Sequence, residues 1–176
     1  MPCMVYYQSA TSNKLDANNN GNNVLCYSGS SVNLLETISK SPPKNKKRIF
    51  FIESSCSSFI KGDFELNPRQ ACAVESAAKM NPNTEVTILF ASPIGVEDPL
   101  LSKNEMVQAL LTYTNVHLKH VDVEEYVKGT SLEELYEGGA LRHSSFPVSH
   151  ASDILRYLTL WKYGGTYLDL DVVVMK

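Results

Sequence analysis

Two short apolar runs, Ile49-Phe50-Phe51-Ile52 and Val86-Thr87-Ile88-Leu89-Phe90, and a third strand expected over residues 116–121 alternate with stretches of helical spacing, and this alternation constrains the fold more than any other feature of the chain. A run that is apolar at every position suits a strand buried on both faces, and strands separated by helices require right-handed crossovers within a parallel sheet. The reading is therefore α/β, a mostly parallel sheet flanked by helices. Asn67 followed by Pro68 reads as an N-cap and first helical residue, and Ala71, Val74, Ala77 and Ala78 recur at helical spacing until Asn81-Pro82. A second helix is expected over residues 100–113 and a short one over 131–136. Ligands of such sheets gather at the strand C-terminal ends, where Glu53 closes the first strand.

The first 47 residues differ in composition. Ala17-Asn18-Asn19-Asn20-Gly21-Asn22-Asn23 cannot bury enough surface to offset its ordering entropy and is expected to be mobile. Ser31 is expected to cap a short helix carrying Val32, Leu34, Leu35 and Ile38, before a stiff cationic spacer over residues 41–48. The division is thus residues 1–47, disordered or stem-like, and residues 48–176, the folded part. With 16 basic against 19 acidic residues and a net charge of -3, there is no basic excess to neutralise a phosphate backbone, which argues against nucleic acid as a partner. No apolar stretch approaches the roughly 20 residues that span a bilayer, and residues 1–10 have neither the basic region nor the apolar run of a signal peptide. The four cysteines, Cys3, Cys26, Cys56 and Cys72, allow three pairings and lack CxxC spacing, which argues against a zinc site.

The last 28 residues carry the chemistry. Ala151, Ile154, Leu155, Leu158 and Trp161 form an apolar helical stripe that leaves Asp153 and Arg156, three apart, as neighbours beside it. Gly164 and Gly165 end this helix, and the chain is expected to pass straight into a strand. In an extended segment Asp169 and Asp171 would face one way and Leu170 the other. Two hard carboxylates suit Mn2+ or Mg2+, and an ion that keeps open positions can also hold a diphosphate.

Ser152-Asp153-Ile154-Leu155-Arg156-Tyr157 and Tyr163-Gly164-Gly165-Thr166-Tyr167-Leu168-Asp169-Leu170-Asp171 together resemble the sugar-binding region of Asp-x-Asp glycosyltransferases of the α-1,4-galactosyltransferase type. Ile49-Phe50-Phe51-Ile52-Glu53-Ser54-Ser55 and Cys72-Ala73-Val74-Glu75-Ser76-Ala77-Ala78-Lys79 are similar to the lactosylceramide 4-α-galactosyltransferase branch, so the likeness spans roughly residues 49–176. The resemblance implies a GT-A, Rossmann-like fold, a UDP-sugar donor, Mn2+ (or Mg2+), a glycolipid or glycan acceptor, retention of configuration, and a Golgi-lumenal domain on a single N-terminal anchor. Galactose is the sugar it favours, with N-acetylglucosamine as the nearest rival. Asp169 and Asp171 would hold the metal and donor diphosphate; Asp153, Arg156, Gly164 and Gly165 would belong to the donor site; Glu53 would lie near the nucleotide. In an oxidising lumen, Cys56 and Cys72, which flank the loop between first strand and first helix, would be bridged. The family's anchor has no counterpart in this chain, which is expected to be a fragment incomplete at its C-terminus, with Val172-Val173-Val174-Met175 as an exposed edge.

Plainer roles compete with these. Asp153 and Arg156 would also serve as a surface helix pair, and Tyr157 and Trp161 are expected to pack rather than bind sugar. His117, His120, His143 and His150 lack metal-site spacing, and Glu124-Glu125 and Glu133-Glu134 read as solvated faces. A noncatalytic nucleotide-sugar-binding module is the alternative to an enzyme.

Overall fold

Strand β1 (Arg48–Glu53) is buried along its whole length, as its unbroken apolar run requires. The structure, a computed structural model, describes residues 26–27, 35–40 and 47–175. β1 lies inside a four-stranded sheet with β2 (Glu85–Phe90), β3 (Val116–His120) and β4 (Thr166–Tyr167), in the order β3-β2-β1-β4. Every pairing is parallel, with Phe51 opposite Ile88, Ile88 opposite Leu118, and Phe50 opposite Tyr167. The parallel sheet flanked by helices that the alternation of signals implies is the one observed.

The α-helices among the described residues are α1 (Ser57–Lys61), α2 (Pro68–Met80), α3 (Glu105–Leu110), α4 (Val123–Val127), α5 (Glu133–Glu137) and α6 (Pro147–Tyr163). Because neighbouring side chains on a strand point to opposite faces, β1 feeds two cores. Ile49 and Phe51 pack with Ala73, Val74 and Ala77 of α2 and Val107 and Leu110 of α3. Phe50 and Ile52 pack with Val123 and Tyr126 of α4 and Ala151, Leu155 and Leu158 of α6. Burying a side chain such as Phe50 or Leu155 contributes about 1.5–3 kcal/mol.

Asn67 caps α2 as expected: its side chain accepts from the Gln70 N–H at 3.0 Å, and the Gln70 side chain accepts from the Asn67 N–H at 2.9 Å. The single helix expected over residues 100–113 is instead a 3-10 turn, Pro99–Leu101, followed by α3. Asn104 causes the break, because its side chain accepts from the Met106 and Val107 N–H groups and starts a new helix. The residues 17–23 tract and most of the helix expected from Ser31 lie outside the described residues. Leu35 and Ile38 are described and buried, Ile38 within a 3-10 turn, and Thr37 bridges to His120.

Three further expectations are overturned. Cys56 is bonded to Cys26, not Cys72, and Cys72 is itself disulfide-bonded. Cys56 packs in the core beneath Phe50 and Ile52, whereas Cys72 lines a groove between α2 and α3 on the other face, so the sheet separates them. Trp161 and Tyr157 do not pack: they are 64% and 70% exposed, and the buried stripe of α6 runs through Ala151, Leu155, Leu158, Thr159 and Tyr163. The final strand is short. The Val172 N–H donates to the Asp169 carbonyl at 3.0 Å, closing a turn, and residues 172–175 form no strand. Leu168, Leu170 and Val174 pack against the α2-side core, and the Val174 N–H donates to Ser76 Oγ at 2.9 Å, so this tail crosses α2 and is not a bare sheet edge, although Val172, Val173 and Met175 are exposed as expected.

Strand order reverses at β1: the chain passes from β1 to β2 to β3 on one side, then returns through α4, α5 and α6 to place β4 on the other. Crevices form at such reversals, beyond the strand C-terminal ends. The return depends on Gly165, which has φ of +86° and lies so close to β1 that an added Cβ would sit 2.6 Å from the Arg48 carbonyl oxygen. Gly165→Ala is expected to cost about 2 kcal/mol or more in urea unfolding, from left-handed strain plus the backbone clash. A midpoint equal to that of the unsubstituted protein would mean that β1 yields freely at Arg48.

Candidate donor site

Helix α6 and the strand that follows it, β4, bring the first group of charged residues together. On α6, Arg156 Nη2 lies 3.1 Å from Asp153 Oδ1, the i, i+3 pairing that the sequence implied. The same nitrogen lies 4.0 Å from Asp169 Oδ1, just past β4, and the guanidinium sits 5.0 Å from the Tyr167 ring centroid. The Tyr167 hydroxyl donates to Asp169 Oδ1 at 2.7 Å. Burial, and then this bond to a carboxylate, push the Tyr167 phenol up to about 12. Arg156 Nε is buried without a hydrogen-bond partner.

Asp171 faces another helix. Its Oδ2 lies 3.8 Å from Nη2 of Arg69 on α2. Asp169 and Asp171 therefore flank a turn rather than projecting from one side of a strand, and each meets a cation from a different helix. Both still line one cavity of about 350 Å3, together with Asn67, Arg69, Gln70 and Leu170. Among the described residues no group of three or more His, Cys, Asp or Glu side chains gathers as a ready-made metal cage. Two hard oxygen ligands beside an open polar cavity nevertheless fit Mn2+ or Mg2+, which keep several positions for water and phosphate.

The other expected site residues lie apart from this cavity. Gly164 and Gly165 sit just before β4, Gly165 against Arg48, and their observed role is to turn the chain. Glu53 ends β1 but is only 3% exposed and does not line the cavity. Its Oε1 accepts from the Ser55 N–H at 2.9 Å, while Oε2 is buried without a partner. The Tyr27 hydroxyl donates to the neighbouring Ser54 carbonyl. Of the histidines, His120 is buried with Nδ1 3.0 Å from the Phe90 carbonyl oxygen, and His150 Nδ1 lies 2.7 Å from Ser144 Oγ. Arg69 and Tyr167 escaped sequence reasoning as site residues. Tyr167 had a signal, since it stands two positions before Asp169; Arg69 had none, because only the fold brings α2 beside Asp171.

Desolvation raises the Glu53 carboxyl from 4.5 to about 7, with the Ser55 hydrogen bonds opposing and the Glu65 charge adding. The folded state thus holds its proton more tightly than the unfolded chain. Burial costs nothing below about pH 4.5, where both states are neutral, and destabilises increasingly until about pH 7, reaching about 3 kcal/mol. Glu53→Gln is expected to raise the melting temperature near pH 8 and leave it unchanged near pH 4. An equal effect at both would mean that the carboxylate is not penalised by burial.

Residues 67–176 match the family described as "Glycosyltransferase sugar-binding region containing DXD motif". A lactosylceramide 4-alpha-galactosyltransferase of Mus musculus is 31% identical over 105 residues, which is 60% of this chain and 29% of that protein. An alpha-1,4-N-acetylglucosaminyltransferase of Homo sapiens is 30% identical over 108 residues, 60% of this chain and 32% of that protein. Among solved structures, the PaToxG glycosyltransferase is similar with a TM-score of 0.48 and 22% identity, over 76% of this chain and 45% of that one. The chain spans about a third of the length of the curated relatives it matches. The matched region holds Asp153, Arg156, Asp169 and Asp171, and by that match the chain belongs to the family of glycosyltransferase sugar-binding regions containing the DXD motif.

Proposed function

We propose that this chain is the donor-binding part of a metal-dependent glycosyltransferase that moves a hexose from a UDP-sugar to a glycolipid or glycan acceptor with retention of configuration. The observation that carries this reading is the pair of carboxylates, Asp169 and Asp171, lining one cavity beside the point where strand order reverses. Galactose is the favoured sugar, following the relative named a lactosylceramide 4-alpha-galactosyltransferase; N-acetylglucosamine is the rival, supported by the other relative's name. The disulfide-bonded cysteines suit an oxidising compartment, in keeping with a Golgi-lumenal location. No described helix is long and apolar enough to cross a membrane.

Asp169 and Asp171 would hold Mn2+ or Mg2+. Bound there, the ion supplies Lewis-acid stabilisation of the negative charge that develops on the diphosphate as the sugar leaves. The chain's own residues prepare the site. Tyr167 and Arg156 hold Asp169 from one side, and Asp153 holds Arg156 in turn. Arg156 reaches Asp153 and Asp169 from α6, so its guanidinium would orient the Asp169 side of the site, with planar geometry that a lysine ammonium lacks.

UDP binding, measured by calorimetry, is expected to require Mn2+ or Mg2+. Asp169→Asn or Asp171→Asn is each expected to weaken it at least tenfold, about 1.4 kcal/mol. Undiminished UDP affinity in EDTA would rule out the metal-dependent reading.

Arg156→Lys is expected to reduce UDP affinity while leaving the melting temperature of the unliganded protein nearly unchanged, because a half-exposed ion pair adds little stability. A large fall in melting temperature with normal UDP binding would make the pair a structural one.

A further inference from the structure

Arg69 stands where helix electrostatics disfavours it. It is the second residue of α2, and a cation in the first turn opposes the positive end of the helix dipole. The first turn of α2 contains no acidic residue to offset that charge, and the nearby Glu65 is paired with Lys61. The ionic contact of Arg69 is Asp171, 3.8 Å away.

We propose that Arg69 is a donor-site residue: it holds the Asp171 carboxylate until a divalent cation takes it, and then offers its guanidinium to the diphosphate of the nucleotide donor. This inference rests on the donor-site reading above and assigns a second cation to that site, from the helix opposite Arg156. Both ends of the pair are fixed on α2. Pro68 and the reciprocal Asn67 and Gln70 hydrogen bonds hold the Arg69 backbone. Packing of Leu170 and Val174, with the Val174 N–H on Ser76, docks the Asp171 turn on the same helix. The side chains themselves are free to re-pair, since Arg69 is 77% and Asp171 62% exposed and such pairs bind weakly. Arg69 lines the cavity that both carboxylates face, and a guanidinium presents two parallel N–H groups that match phosphate oxygens.

The experiment measures Mn2+ binding alone and UDP binding at saturating Mn2+ for Arg69→Gln, Arg69→Lys and Asp169→Asn. Arg69→Gln is expected to tighten Mn2+ about two- to fivefold by removing a competing cation, and to weaken UDP at least tenfold. Arg69→Lys, which keeps the charge without the fork, should leave Mn2+ binding near the original and weaken UDP to an intermediate degree; it also serves if Arg69→Gln does not fold. UDP affinity unchanged by both Arg69 variants but reduced by Asp169→Asn overturns this inference and leaves the donor site standing. Weakened UDP binding with Mn2+ affinity unchanged in Arg69→Gln overturns the counter-ion role. Indifference of UDP to all three variants overturns the donor-site reading and this inference together.

Discussion

The site depends on one short strand pairing. β4 meets β1 through Thr166 and Tyr167 alone, with the Leu168 N–H adding a bond to the Phe50 carbonyl at 2.9 Å. That pairing sets how far along the sheet the chain runs before it turns at Asp169. It also places the Tyr167 hydroxyl within reach of Asp169 and the Tyr167 ring beside Arg156. The approach is possible because residue 165 has no side chain: the glycine backbone presses on Arg48 where any Cβ would collide. A two-residue strand would be marginal alone, and here α6 holds it in place by burying Ala151, Leu155, Leu158 and Tyr163 against the β1 face that carries Phe50.

Charge is handled differently in the interior and at the cavity. Asp169 and Asp171 remain more than half exposed, each near an arginine and within a few residues of a docked apolar side chain. Water screens both, so the pairs orient the carboxylates without holding them strongly, an arrangement that would suit the proposed cation site. Glu53 illustrates the opposite case. Its burial raises the carboxyl into the neutral range, where a carboxylic acid is both donor and acceptor. A buried group with an unpartnered oxygen at the end of a central strand costs stability, and such costs are commonly found near functional sites.

Much of this protein was legible in its sequence because the signals were local. Short apolar runs identified β1 and β2 as strands covered on both faces, whereas β3 alternates buried Val116 and Leu118 with the polar His117 and Lys119. The Asn67-Pro68 start of α2, the Asp153 and Arg156 pair, and the glycine turn before β4 follow from capping, helical spacing and left-handed backbone preference, each set within four residues. The spacing of Asp169 and Asp171 and the motif around them marked the pair as a candidate site, and the two do line one cavity.

What only the tertiary structure decided involves residues far apart in the chain. The face of α6 that is buried excludes Trp161, because the arc touching Phe50 and Tyr126 runs through Leu155 and Thr159 instead. Cys56 meets Cys26 rather than Cys72 because the sheet stands between the latter two, a barrier that sequence separation does not record. Residues 169–172 turn rather than extend, since Leu170 and Val174 gain more by packing on α2 than by prolonging a strand. That docking brings Arg69 to Asp171 across about a hundred residues. Periodicity specifies which side chains share a face of their own element; packing alone specifies which element they meet.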